Sequence, residues 1–374
     1  MSKEKVLLST RIFQFFFAVA YIFFILSSTM LVRESNTFSL LIFLFRSGAL
    51  IVILAFWLLS ITHTSHASRV TIGFAALFSP YLFSEASLAY LDVLVLLVLA
   101  SNFGKAPSTE NYYVRLAYIS VGLVLLIGLL AWVSIIPTKT FTWDGRAKDA
   151  MGFSNPNTFY FFLTSSAVVF FLFKRRVSFL LVGVAIIGLF PAVGSRTFLL
   201  TYALMVIFWI WPPILRYRLV IALLWLWLAA VILFGLTTVL FPSVITNYLN
   251  AAIGMDVNEL TSNRLGLLAN SRLSSIFQIV FGGESNELDS LFGYFMNSFG
   301  ILGVVIFLYI TLTGARRHLR SGRPIILAFT AIFFTTGLAE VPFDGSALVA
   351  LVFMSSVVFG SALRIEKSTK ARSI

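Results

Sequence analysis

The chain has 374 residues, 59% of them hydrophobic and 11% charged, with a formal net charge of +12. A soluble globular chain carries about 25% charged residues, so a protein this apolar has too little polar surface to face water. Cysteine is absent and histidine is confined to His63, His66 and His318. That excludes disulfides, thiolate nucleophiles and Cys-based metal sites, and argues against a His-rich metal centre.

The apolar residues come in long blocks, which predict helices near 12–32, 38–61, 70–84, 86–103, 114–136, 157–173, 177–193, 197–213, 219–241, 289–312, 325–339 and 346–363. Runs of about 20 residues at 1.5 Å rise match a hydrocarbon core of about 30 Å. A helix also satisfies its backbone N–H and C=O groups within the segment, as lipid requires. The alternating pattern of a membrane β-barrel is absent. The expected fold is an all-α polytopic membrane protein of about 12 transmembrane helices, 11 or 12, in a single transmembrane domain over 1–374. Lys3, Lys5 and Arg11 precede the first run, which has no small-x-small cleavage site before Arg33, so it reads as an uncleaved span. Pro80 and Glu85 interrupt the pair 70–84 and 86–103, which leaves two spans or a re-entrant hairpin open.

With the N-terminus inside, most of the 27 basic residues fall on inner segments, and both termini are cytoplasmic. The outer segments then hold Arg33, Lys139, Arg146, Lys148, Arg196, Arg264 and Arg272, and the acidic residues lean outward, from Glu34 to Asp344. The net positive charge therefore reflects topology, and no nucleic-acid partner is expected. Two outer connections are long: 137–156, and 242–288 as the main outer loop. Inner loops are too short for a nucleotide-binding domain, and no P-loop occurs, so function points outward.

Within the first long loop, Asn155 followed by Pro156 reads as an N-cap with proline at the first helical position. Gly194-Ser195-Arg196 is a minimal turn that puts Arg196 at the outer mouth of the next helix. A cation there opposes the helix dipole, which makes it a poor cap and a better anion ligand. In the main loop, Asp256 and Glu259 have capping-box spacing and Gly282-Gly283 supplies a stop, so an amphipathic helix is expected over about 257–281. Arg264 and Arg272 lie about 80° apart around its axis and could address one cavity, although an interfacial helix with snorkelling arginines explains them equally. Asp289 stands where the next span begins, where an N-cap role alone could account for it. Glu287-Leu288-Asp289 has only a weak metal-loop form. Arg46 and Asp92 lie about 12 Å and 9 Å inside their spans, depths that suit a buried ion pair, with a role near a lipid phosphate as the alternative.

The order Gly152-Phe153-Ser154-Asn155-Pro156-Asn157-Thr158, Gly194-Ser195-Arg196-Thr197, Ser262-Asn263-Arg264, Phe281-Gly282-Gly283, Asp289-Ser290 and Asn297-Ser298-Phe299-Gly300-Ile301-Leu302-Gly303 resembles bacterial Wzy-type O-antigen and capsular polysaccharide polymerases. It is also similar to the related O-antigen ligases. The likeness covers roughly residues 140–310. It implies a membrane glycosyltransferase in the bacterial cytoplasmic (inner) membrane, whose substrate is a polyprenyl-diphosphate-linked oligosaccharide. Its surroundings are membrane lipid, and a chain-length regulator is the protein partner it suggests. No cofactor, nucleotide sugar or obligatory metal is implied.

By the resemblance Arg196 and Arg264 match the family's functional arginines, and Arg272 with Gly283 fits an arginine-x10-glycine spacing. Ligases usually place a histidine near where Asp289 stands, which favours polymerase. The chemistry is compatible: a diphosphate leaving group needs its developing charge stabilised, and arginine does this through a permanent bidentate fork. A carboxylate can take the proton of the attacking hydroxyl; Asp289 is the candidate, with Glu284 and Glu287 behind it. Arg146, Asn155 and Asn157 complete the expected substrate-binding set. A ligase, or a transporter of lipid-linked oligosaccharide, remains the alternative.

Overall fold

The computed structural model describes residues 3–60, 66–84, 86–103, 109–143, 146–253, 276–283, 290–338, 340 and 347–358. Helix makes up about 84% of the structure, so the one two-stranded hairpin is an ornament on a helical protein and not a sheet core. Among the described residues five helices are long and apolar enough to cross a membrane: Thr10–Ser27, Asn36–Leu58, Thr109–Trp132, Arg218–Leu240 and Leu291–Arg320. Six more are apolar but only 10–17 residues long. The chain is thus an all-α membrane protein, divided into two compact units.

The first unit comprises 1–73, 94–209 and 345–374. Its helices are α1 (Lys3–Ser27), α2 (Met30–Arg33), α3 (Asn36–Ser60), the start of α4 (His66–Leu77), the end of α5 (Ser87–Phe103), α6 (Thr109–Trp132), α7 (Pro156–Leu172), α8 (Arg176–Gly188), α9 (Phe190–Val193) and α10 (Arg196–Ile210). The expected single helix 177–193 is broken at Leu189, just before Pro191, whose ring removes a donor. α1 and α3 interlock through Phe13 on Phe56, with ring centroids 6.0 Å apart, and Phe23 on Phe45, 5.1 Å apart. The Arg46 guanidinium lies 4.7 Å over the Phe24 ring, a contact that offsets part of the cost of a cation within an apolar helix.

Small and hydroxylated residues mark the tight helix interfaces, because between apolar helices in lipid the gain comes from close packing. In α7 the Ser165 and Ser166 hydroxyls turn back to the carbonyls of Phe161 and Phe162, at 2.7 and 3.0 Å, which frees the helix to be buried almost all round. Tyr21 on α1 donates to Ser120 Oγ on α6 at 2.8 Å. Tyr113 of α6 pairs at 2.6 Å with Ser355 in the π-helical turn Met354–Val358 that follows the last described α-helix (Leu348–Phe353). Gly183 on α8 makes room for the Tyr202 ring of α10, whose hydroxyl donates to Phe179 O at 3.1 Å.

The second unit comprises 74–93 and 210–344. It contains the 3₁₀ turn Ser79–Phe83, α11 (Arg218–Leu240), α12 (Pro242–Ile253), α13 (Ile276–Phe281), α14 (Leu291–Arg320) and α15 (Ile325–Gly337). α4 has 12 residues, about 18 Å, too short to cross a bilayer alone. Of the helix expected over 257–281, only its end, α13, lies within the described residues; it stops at Gly282, which takes a left-handed φ of 72°.

α14 runs on past the expected 312 to Arg320 and is broken at Gly300, with φ 63° and ψ −170°. This conformation is essentially open only to glycine, and a Cβ there would overlap the backbone of Val280 and Phe281. Gly282 in turn packs on the backbone of Ser298, Phe299 and Gly300. Phe299, one residue before the break, sits in a ring cluster with Phe74, Phe78, Tyr81 and Phe295 at centroid distances of 5.4–5.8 Å. Tyr81 also donates its hydroxyl to Phe281 O.

Gly300→Ala is therefore expected to destabilise the protein by about 3 kcal/mol, from overlap and backbone strain together. Gly48→Ala, where a Cβ meets nothing within 4 Å and φ is ordinary, should be neutral or slightly stabilising. Melting temperatures of the two variants in detergent, against wild type, check the contrast.

Candidate functional site

One end of the first unit gathers the polar residues that the sequence singles out. Residues 137–156 are not an open loop. They form a hairpin, β1 (Thr140–Trp143) against β2 (Arg146–Asp149), with Thr140 opposite Asp149 and Trp143 opposite Arg146. Asp149 closes the hairpin: its carboxylate accepts from Thr138 Oγ1 and, at 2.7 Å, from Met151 N. The chain then turns through Met151 and Gly152, both at positive φ (51° and 82°). It is stitched to the α1–α2 turn by Met30 N on Gly152 O and Ser154 N on Ser28 O, both 2.9 Å. Asp149 is thus committed to backbone structure, which removes it as a free base.

Asn155 caps α7 as expected. Its backbone is extended and its side-chain oxygen accepts from Asn157 N at 2.8 Å, with Pro156 at the first helical position. Asn155 is exposed and Asn157 half-buried. The start of α10 lies beside α7, since Phe198 contacts Phe161 with ring centroids 6.1 Å apart. Both helices therefore begin at the hairpin end, with the positive ends of their dipoles directed there; in α7 the first donors are already taken, Asn157 N by Asn155 Oδ1 and Thr158 N by Asn155 O.

Arg196 opens α10 and its side chain is exposed. It follows Gly194, at φ 68°, and the buried Ser195. The aliphatic stem of Lys148 lies on Gly194: a Cβ at that glycine would be 3.2 Å from Lys148 Cε and 3.5 Å from Cδ and Cγ. So β2 delivers a second cation to the turn that presents Arg196. Lys148 was assigned no role from sequence; only the cross-chain fit to Gly194 singles it out. Arg146 is two residues earlier on the same strand, and its side chain lies outside the described residues. Two helix N-termini, an exposed arginine and a lysine held against the same turn make an anion-favouring surface.

The opposite end of this unit carries Lys174, Arg175 and Arg176, all exposed, where Arg175 reaches Glu110 at 3.8 Å, a surface pair worth little. Among the described residues no group of three or more His, Asp or Glu side chains could hold a metal ion.

Arg264, Arg272, Glu284, Glu287 and Asp289 lie outside the described residues, but both flanks of 284–289 are described. On one side Gly283 N donates to Asn297 O at 3.0 Å and to Ser298 O at 3.2 Å. On the other, Ser290 caps α14, its hydroxyl accepting from Gly293 N at 3.0 Å. The cap of this helix is therefore Ser290 and not Asp289, so capping no longer accounts for the aspartate. Comparison with protein-family models, with curated proteins and with solved structures finds no match to this chain.

Asn155→Ala should cost about 1 kcal/mol through loss of the cap, whereas Asn155→Asp, which keeps an accepting oxygen, should stay near wild type. Thermal melts of the purified variants read the difference.

Proposed function

We propose that this chain is a membrane glycosyltransferase of the polysaccharide-polymerase type. It joins polyprenyl-diphosphate-linked oligosaccharide repeat units at the outer face of a bacterial cytoplasmic membrane. In this reading the helices number about 12, both termini are cytoplasmic, and the hairpin end of the first unit faces outward.

The observation that carries the proposal is Arg196, exposed at the head of α10, beside the N-terminus of α7 and with the Lys148 stem against its turn. That surface suits a diphosphate, which carries charge before transfer and gains more as the glycosyl bond breaks. Fixed cations and helix dipoles stabilise that developing charge without a metal. By the resemblance Arg264, and Arg272 by its spacing to Gly283, are further candidates for binding a diphosphate. Asp289, with Glu284 and Glu287, is the proposed base that takes the proton of the attacking sugar hydroxyl.

A transporter of the same lipid-linked substrate is the second reading, and the break in α14 at Gly300 favours it. Spanning helices interrupted by glycine are a common way of building a transport site. Substrate accumulation in sealed vesicles separates the two readings.

Arg196→Ala is expected to lower long-chain polymer in cells by about a hundredfold or more, leaving single repeat units, at unchanged protein level. Arg196→Lys, which keeps the charge and loses the fork, should give an intermediate chain-length ladder. A normal ladder in Arg196→Ala would remove the basis of the proposal.

A further inference from the structure

The second unit holds a polar group that its own packing leaves unanswered. Asn297, on α14, is 1% exposed, and neither its Oδ1 nor its Nδ2 has a hydrogen-bond partner among the described residues. Gln14 Nε2 and the hydroxyls of Thr164, Thr311 and Ser356 are also buried without a partner among the described residues, but Asn297 is the carboxamide with both polar atoms in that state. The hydroxyls differ in kind, because a helical hydroxyl has the carbonyl of its own preceding turn close by. A carboxamide brings two donors and two lone pairs, and burying it unsatisfied is costly.

The surroundings of Asn297 are also unusual. Gly293 and Gly300, four before and three after it, place no side chain against it, while Tyr294 and Ile301 are the other neighbours on its helix face. Beyond lies the break. The Asn297 carbonyl is taken by Gly283 N, and the second half of α14 restarts after Gly300. The site is six residues inside the helix, about 9 Å from its start. Non-helical backbone at such depth is tolerated where protein buries it or where it lines a cavity. Leu291 to Gly300 contain no charged residue, nor does the Phe74, Phe78, Tyr81 and Phe295 cluster around Phe299. An ion would find no counter-charge in either set. A neutral group that both donates and accepts would complete the carboxamide.

We propose that Asn297 is a ligand contact, its carboxamide receiving a hydroxyl of a neutral sugar at the break in α14. The identification of the ligand as saccharide rests on the polymerase reading; the unpartnered carboxamide and the break do not.

The test uses the full chain in lipid nanodiscs, melted alone and with glucose, N-acetylglucosamine and their disaccharides, with inorganic phosphate as the charged probe. The sugars should raise the melting temperature of the wild type, and phosphate should do nothing that depends on residue 297. Asn297→Leu, similar in size and without polar atoms, should melt at or above wild type in the absence of sugar and lose the sugar-induced shift. Asn297→Asp, which keeps the acceptors and loses the donors, should bind sugar about tenfold more weakly. A sugar shift that survives in Asn297→Leu overturns the proposal, as does a wild type that no sugar stabilises. If the leucine variant melts low, an undiminished sugar shift in Asn297→Asp overturns it instead. The polymerase reading fails by a different sign: deletion of the whole chain would leave polymer length in cells unchanged, whatever the sugar shift shows.

Discussion

Inside a bilayer no water completes a hydrogen bond, so each backbone N–H and C=O must find its partner within the protein. Most of the chain meets this demand by being helix. The informative places are those where it is not. At Gly300 the helix opens, and the carbonyls of Asn297 and Ser298 are taken by Gly283 N from a separate segment. The fit works because Gly282 and Gly300 have no side chains where the two backbones meet. Two glycine-bearing stretches, at 282–283 and 300, thus meet backbone to backbone, and the rings of Phe74, Phe78, Tyr81 and Phe295 pack around Phe299 beside the break.

The hairpin end of the first unit answers the same demand differently. The chain between α6 and α7 leaves helical geometry for about two dozen residues, and its backbone groups pair with each other in a short ladder or with the α1–α2 turn. Asp149 fastens the base of the hairpin through Thr138 and Met151 N. The consequence is positional: β2 reaches the turn before α10, and the Lys148 stem rests on Gly194 next to Arg196. A free loop of the same composition would carry the same charge without holding it against one helix mouth. Cations held in place favour an anion more than mobile ones, since they need not reorganise to meet it.

Several elements were legible from local pattern alone. The cap at Asn155 with Pro156, the helix start at Arg196 and the stop at Gly282 follow from side-chain and φ preferences that act within a few residues. The long spans α1, α3, α6, α11 and α14 follow from hydropathy. The shorter apolar helices follow less well. α7 has 17 residues and α15 has 13, and both are mostly buried by other helices, so their lengths answer to protein neighbours and not to lipid thickness. Pro191 marks the break between α8 and α9, although the apolar run around it reads as one span, while the loop composition at 140–149 carries no hairpin signal. Asp289 read as a plausible cap by position, and Ser290, one residue on, holds that role.

The sequence by itself determined that this is a helical membrane protein, where its principal spans run, and that Arg196 stands at the start of a helix. Those properties are local: hydropathy, charge and capping need only a residue and its near neighbours. Only the tertiary structure decided that Lys148 belongs with Gly194 and Arg196, that the 281–283 segment enters the break in α14, and that Asn297 is buried without a partner. Each of these depends on what a distant segment does or fails to supply. A carboxamide in an apolar run looks the same whether a neighbouring helix satisfies it or leaves it open, and only packing distinguishes the two.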